Sequence, residues 1–123
     1  PLDLEVDMLL FARALENMVA HAIKSAPPQS TVGVTFCADH HLGNGPQNGP
    51  RLTIHVVNQG HHLAEEDLVR IFDRFAVMGL KEQGTSHVGL GLAYCRMVVE
   101  AHGGHVAAAN IQPKGLRFTI DLP

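Results

Sequence analysis

The sequence predicts an α+β fold, a two-layer α/β sandwich with about three helices on one face of a mixed sheet of about five strands. Two periodicities and one punctuation pattern predict it. Apolar residues recur at steps of three and four in three stretches, period-two alternation marks the stretches between them, and Gly and Pro clusters separate the two kinds. At 123 residues and 46% apolar content, residues 1–123 are read as one domain with one core.

The elements follow in order. Leu2 to Val6 alternates apolar and acidic residues and reads as a short strand. From Asp7, a good N-cap, the period becomes helical: Met8, Phe11, Leu15, Met18 and Ala22 form a stripe that Leu9, Ala12, Val19 and Ile23 widen. The helix is expected over Asp7 to Ser25, before Pro27-Pro28. Thr31 to Cys37 and Leu52 to Val57 read as strands joined by a connection over Ala38 to Pro50. Glu65 to Phe75 opens with three acids that suit a helix N-terminus. Ala76 to Val88 reads as a loop. Leu90 to His102 is the third helix, ended by Gly103-Gly104. His105 to Asn110 and Leu116 to Leu122 are strands, the last with Leu116, Phe118, Ile120 and Leu122 inward. Val34, Val56, Phe118, Ile120 and Leu15 are expected to be buried together.

Composition removes several function classes. The net charge of −3 gives no basic footprint for nucleic acid. Aromatics at 5%, with no Trp, leave no stacking platform. No run nears the roughly 20 apolar residues that span a bilayer, and no signal peptide opens the chain, so no membrane insertion is expected. Cys37 and Cys95 lack metal-ligand spacing and each reads as a small buried residue of a reducing, cytoplasmic compartment.

Four stretches carry chemistry. Asn17, His21 and Lys24 share one helix face. Asn58-Gln59-Gly60-His61-His62-Leu63 follows a strand, where polar residues beside glycine often meet ligands. Ile71-Phe72-Asp73-Arg74-Phe75 holds apolar residues of the kind that dock a helix. Gly89-Leu90-Gly91-Leu92 opens a helix, where backbone N–H groups can receive a phosphate. Each alone also suits an ordinary helix shoulder, turn or packing contact.

Together, in this order, they resemble the catalytic and ATP-binding domain of sensor histidine kinases, of the Bergerat-type (GHKL) ATPase family. Asn17 to Pro27 looks like the N box, Asn58 to Leu63 the G1 box, Ile71 to Phe75 the F box, and Gly89 to Leu92 the G2 box. The resemblance implies ATP and Mg2+ as cofactors and Asn17, His21, Lys24, Asn58, Gly60, His62, His87, Gly89 and Gly91 as nucleotide-site positions. It also implies that Phe72, Arg74 and Phe75 meet the dimerisation and phosphoacceptor helices of the parent kinase, with a partner kinase or response regulator as other candidates. No catalytic residue is assigned.

The departures fall on ligand positions. Where the family has a magnesium-binding asparagine, this chain has His21, and imidazole suits a hard cation poorly. The adenine-binding aspartate is Asn58, which loses charge-assisted strength. Two family glycines are His62 and His87, a frequent tyrosine is Ser25, and a final-strand threonine is Leu116. At about 1.4 kcal/mol per decade, partly additive losses take a micromolar ligand into the millimolar range. The expectation is a pseudo-catalytic domain with weak or absent ATP binding that acts through protein contacts. The alternative is an active domain that passes the ATP γ-phosphoryl to a His elsewhere. A third reading is a His-based metal module, because nine His are present. The resemblance implies that His21, His62 and His87 converge on one cleft, with His61 at its rim. They would fill phosphate space, bind zinc at about 2.0–2.1 Å, or form an anion site when protonated. Steric filling is favoured and no metal is assigned.

Overall fold

The computed structural model describes residues 6–41, 49–73 and 91–123. These residues form α1 (Met8–Lys24), β1 (Gly33–His41), β2 (Gly49–Asn58), α2 (Glu65–Arg70), α3 (Gly91–Ala101), β3 (His105–Asn110) and β4 (Leu116–Leu122). The sheet order is β1-β2-β4-β3, and every pairing is antiparallel. The mixed sheet of about five strands is therefore corrected among the described residues to four antiparallel ones. Two hairpins, with the last strand returning between their partners, set every neighbour in the opposite direction. Of the expected strand Leu2 to Val6, residues 1–5 lie outside the described residues. Val6 is not in a strand and packs against the core.

Local chemistry sets the helix ends. The Asp7 side chain accepts from the Leu10 N–H at 3.1 Å, an N-cap bond. At the far end of α3, Gly103 takes φ 81°, Gly104 N–H donates to Val99 O and Gly103 N–H to Glu100 O. That is a Schellman ending, and its left-handed residue favours glycine. The second helix stops at Arg70, short of the expected Phe75. Ile71 and Phe72 leave it in a turn and are buried.

Strands β1 and β2 are both longer than their alternation suggests. Pairing runs from Gly33 with Val57 out to His41 with Gly49, so the ladder holds polar residues extended that sequence alone assigns to a loop. The core lies between α1, α3 and the helix-facing residues of β2 and β4: Met18, Ile54, Val56, Val99, Phe118 and Ile120. Leu15 packs against it partly buried.

Two core expectations are corrected. Val34 is 41% exposed, because β1 is an edge strand and α1 packs over β2. In α1 the buried residues are Ala14, Met18 and Ala22, one helical turn apart, while Met8, Leu9 and Ile23 are exposed. Small side chains at 14 and 22 bring the helix backbone close to its neighbours, which rotates the expected stripe. Cys95 is buried as expected, but Cys37 is exposed on β1. Among the described residues no helix is long and apolar enough to cross a membrane.

Candidate functional site

The last residue of β2 is Asn58, the one buried polar side chain among the described residues. Its Nδ2 donates to Ala22 O at 3.0 Å and to Ser25 Oγ at 2.9 Å. Its Oδ1 accepts from Gly60 N–H at 3.0 Å and Leu116 N–H at 3.1 Å. The partners fix the amide orientation, since two are N–H donors and Ala22 O can only accept. Two donors and two acceptor directions are all that an asparagine side chain has. One residue thus ties the end of α1, the turn after β2 and the start of β4, and its capacity is filled by the chain itself.

Ser25 extends the knot, its Oγ donating to His21 O at 2.9 Å. Gly60 sits where a side chain has no room: a Cβ would lie 2.6 Å from Ser25 O. Gly115 turns into β4 at φ 124°, where a Cβ would meet Asn58 O. Both glycines let backbone pass against backbone at the Asn58 knot.

Along α1, Asn17 and His21 are half-buried and Lys24 is exposed. The His21 ring stands edge-on to Phe118, centroids 5.5 Å apart and planes at 85°. Gly91, the first residue of α3, faces Asn17: a Cβ there would be 3.7 Å from Asn17 Cβ, an ordinary contact. The N-box face and the start of α3 are therefore neighbours.

His62 and His61 are exposed. His62 Nε2 donates to Ile111 O at 2.7 Å, which lays the ring against the β3–β4 connection. Leu63 is held to the same connection by Asn110, whose Oδ1 accepts from Leu63 N–H at 3.0 Å and whose Nδ2 donates to Leu63 O at 2.8 Å. His87 and Gly89 lie outside the described residues, as do Arg74 and Phe75. Among the described residues no three His, Cys, Asp or Glu are grouped to hold a metal ion. Of the F-box positions, Ile71 and Phe72 are buried in the core. Asp73 accepts from Arg96 of α3 at 2.9 Å.

A helical layer on an antiparallel sheet has clear counterparts among known proteins. Residues 6–123 match the family described as histidine kinase-, DNA gyrase B-, and HSP90-like ATPase, and the chain belongs to that family. Its similarity is to the sensor kinases within it. It is 39% identical to sensor protein KdpD of Escherichia coli K12 over 98% of this chain and 12% of that protein. It is 32% identical to sensor histidine kinase WalK of Bacillus subtilis over 97% of this chain and 18% of that one. The chain thus spans a small fraction of the curated relatives it matches. The mycobacterial sensor histidine kinase MprB superposes with a TM-score of 0.75 at 27% identity, covering 98% of this chain and 74% of that one. The catalytic domain of histidine kinase ThkA gives 0.74 at 28%, covering 98% and 70%.

Sequence reasoning missed Asn110, Ile111 and His102. Their partners are 47, 49 and 95 residues away. Nothing in local spacing signals such bonds, although an asparagine at a strand end before a Pro-containing turn marks Asn110 as a turn residue.

Proposed function

We propose that this chain is a pseudo-catalytic histidine kinase-like domain of a two-component signalling protein, with weak or absent ATP binding, that works through protein contacts in the cytoplasm. The observation that carries the reading is the closed hydrogen bonding of Asn58. An adenine amino group needs an acceptor, and both acceptor directions of Oδ1 are already taken by Gly60 and Leu116. Breaking either bond to admit a base leaves a buried N–H unpaired, at a cost of about 1–3 kcal/mol. His21 at the magnesium position offers nitrogen where a hard cation prefers oxygen. The family's nucleotide and metal fit these residues poorly, so no transfer step is assigned to them.

Calorimetric titration of ATP with and without Mg2+ tests this, with a dissociation constant above roughly a millimolar expected. Low-micromolar binding that requires magnesium overturns it and restores the active reading, which the retained Asn17, Lys24, Gly60, Gly89 and Gly91 favour. The triple change His21→Asn, Asn58→Asp, His62→Gly is expected to gain affinity. The partner contact is assigned, as the family resemblance implies, to Phe72, Arg74 and Phe75, meeting the phosphoacceptor helices of a parent kinase, although Phe72 is itself buried. Crosslinking to that helical domain is expected to weaken in Arg74→Ala, and equal crosslinking removes this surface.

A further inference from the structure

His102 joins two helix ends through the two nitrogens of one ring. Nδ1 donates to Val98 O at 2.7 Å, at the C-terminus of α3. Nε2 accepts from the Asp7 N–H at 2.9 Å, at the N-cap of α1. Val98 O can only accept and Asp7 N–H can only donate, so the ring carries its proton on Nδ1 and is neutral. In a capping box, the residue at N3 completes the motif by accepting from the N-cap N–H. Here N3 is Leu10, whose own N–H is capped by Asp7 but whose side chain accepts nothing. His102 supplies the missing half from 95 residues away.

We propose that His102 is a proton-sensitive clasp between α1 and α3, closed when the imidazole is neutral and opened by a proton at Nε2. Protonation replaces the lone pair facing Asp7 with an N–H, so two donors meet and that bond is lost. The Nδ1–H to Val98 O bond survives. Imidazoles as a class change charge between about pH 5 and 8, and that is the window over which the clasp is tested. The charged and titratable groups on the elements at this corner are Asp7 on the α1 side, Arg96 and Glu100 on α3, His105 at the start of β3 and, opposite it on β4, Asp121, which accepts from Arg51. Arg96 is engaged by Asp73, and Glu100 and His105 are exposed. The helices run antiparallel, with His102 against Asp7 at one end and Gly91 against Asn17 at the other.

Nitrogen-detected NMR of the histidine rings, with amide hydrogen exchange from pH 8 to 5, tests the clasp on the 123-residue chain. At pH 8 the His102 ring is expected as the Nδ1–H tautomer. On acidification, protection of the Asp7 amide, corrected for its intrinsic rate, is expected to fall about fivefold, the equivalent of one neutral hydrogen bond of ~1 kcal/mol. The Phe118 amide, central in the sheet, is expected to keep its protection. In His102→Gln the Asp7 amide is expected to show no such pH step. An Nε2–H tautomer at pH 8 overturns the proposal using wild-type protein alone. So does Asp7 protection that stays constant or changes only in parallel with Phe118.

Discussion

Asn110 pairs with Leu63 as one strand residue pairs with another: its side-chain amide exchanges both bonds, N–H to Oδ1 and Nδ2 to O, with the Leu63 backbone. The turn after β2 is thereby fastened to the far hairpin by a side chain that copies a peptide group. His62 adds a third bond to the neighbouring residue, Ile111.

Asn110→Ala removes both bonds and leaves Leu63 N–H and O to find water. A loss of about 1–3 kcal/mol is expected. Urea denaturation should show a lower midpoint with an unchanged slope. His62→Ala breaks one exposed bond and should cost less than half as much.

The glycines of the site separate by steric need. Gly60→Ala drives a Cβ to 2.6 Å from Ser25 O and is expected to loosen the Asn58 knot, with a fall in melting temperature. Gly91→Ala meets only an ordinary 3.7 Å contact at Asn17 and begins a helix, so stability should shift by less than ~1 kcal/mol. Thermal unfolding of both variants side by side checks the contrast. A severe defect from Gly91→Ala would show that its local packing is tighter than described.

Asn58→Asp keeps both acceptor bonds and the Ser25 hydroxyl can turn to donate, but an oxygen replaces Nδ2 against Ala22 O. The variant is expected to lose roughly 1–3 kcal/mol in the absence of ligand. Equal denaturation midpoints for wild type and variant would mean that the Ala22 bond contributes nothing.

Burial pushes the Cys95 thiol up from 9.0 to about 12. A thiol whose proton is held more tightly in the fold stabilises it fully below pH 9, and that stability is lost as pH rises from 9 towards 12. The limiting slope is about 1.4 kcal/mol per pH unit. Cys95→Ala is expected to flatten the alkaline limb of a stability–pH profile. At pH 8 a thiol reagent should label the exposed Cys37 quickly in the native protein and Cys95 only after unfolding.

What could be read from the sequence was what repeats locally. The helical steps of α1 and α3 and the alternation of β4 are each set by neighbours a few residues apart. The same holds for the four boxes, whose order implied the family that residues 6–123 match. Lateral position in the sheet leaves no such trace. Val34 and Phe36 alternate like core residues, yet β1 is at the edge and they are exposed. The donor–acceptor state of Asn58 was equally hidden, because substituting an amide for a carboxylate says nothing about which backbone groups it will meet.

The order β1-β2-β4-β3 also bears on how the chain reaches its fold during synthesis. The strand that emerges last is the one that lies between β2 and β3. Until Leu116–Leu122 has left the ribosome, β2 has only β1 beside it and β3 has no partner in this sheet. Asn58 must likewise wait 58 residues for the Leu116 N–H. The helices can form as they appear, but the sheet that unites them closes only when the final strand inserts, a non-local pairing of the kind that slows folding. Until then the nascent chain carries unpaired strand edges, and these are the surfaces on which a stalled or shortened copy would aggregate.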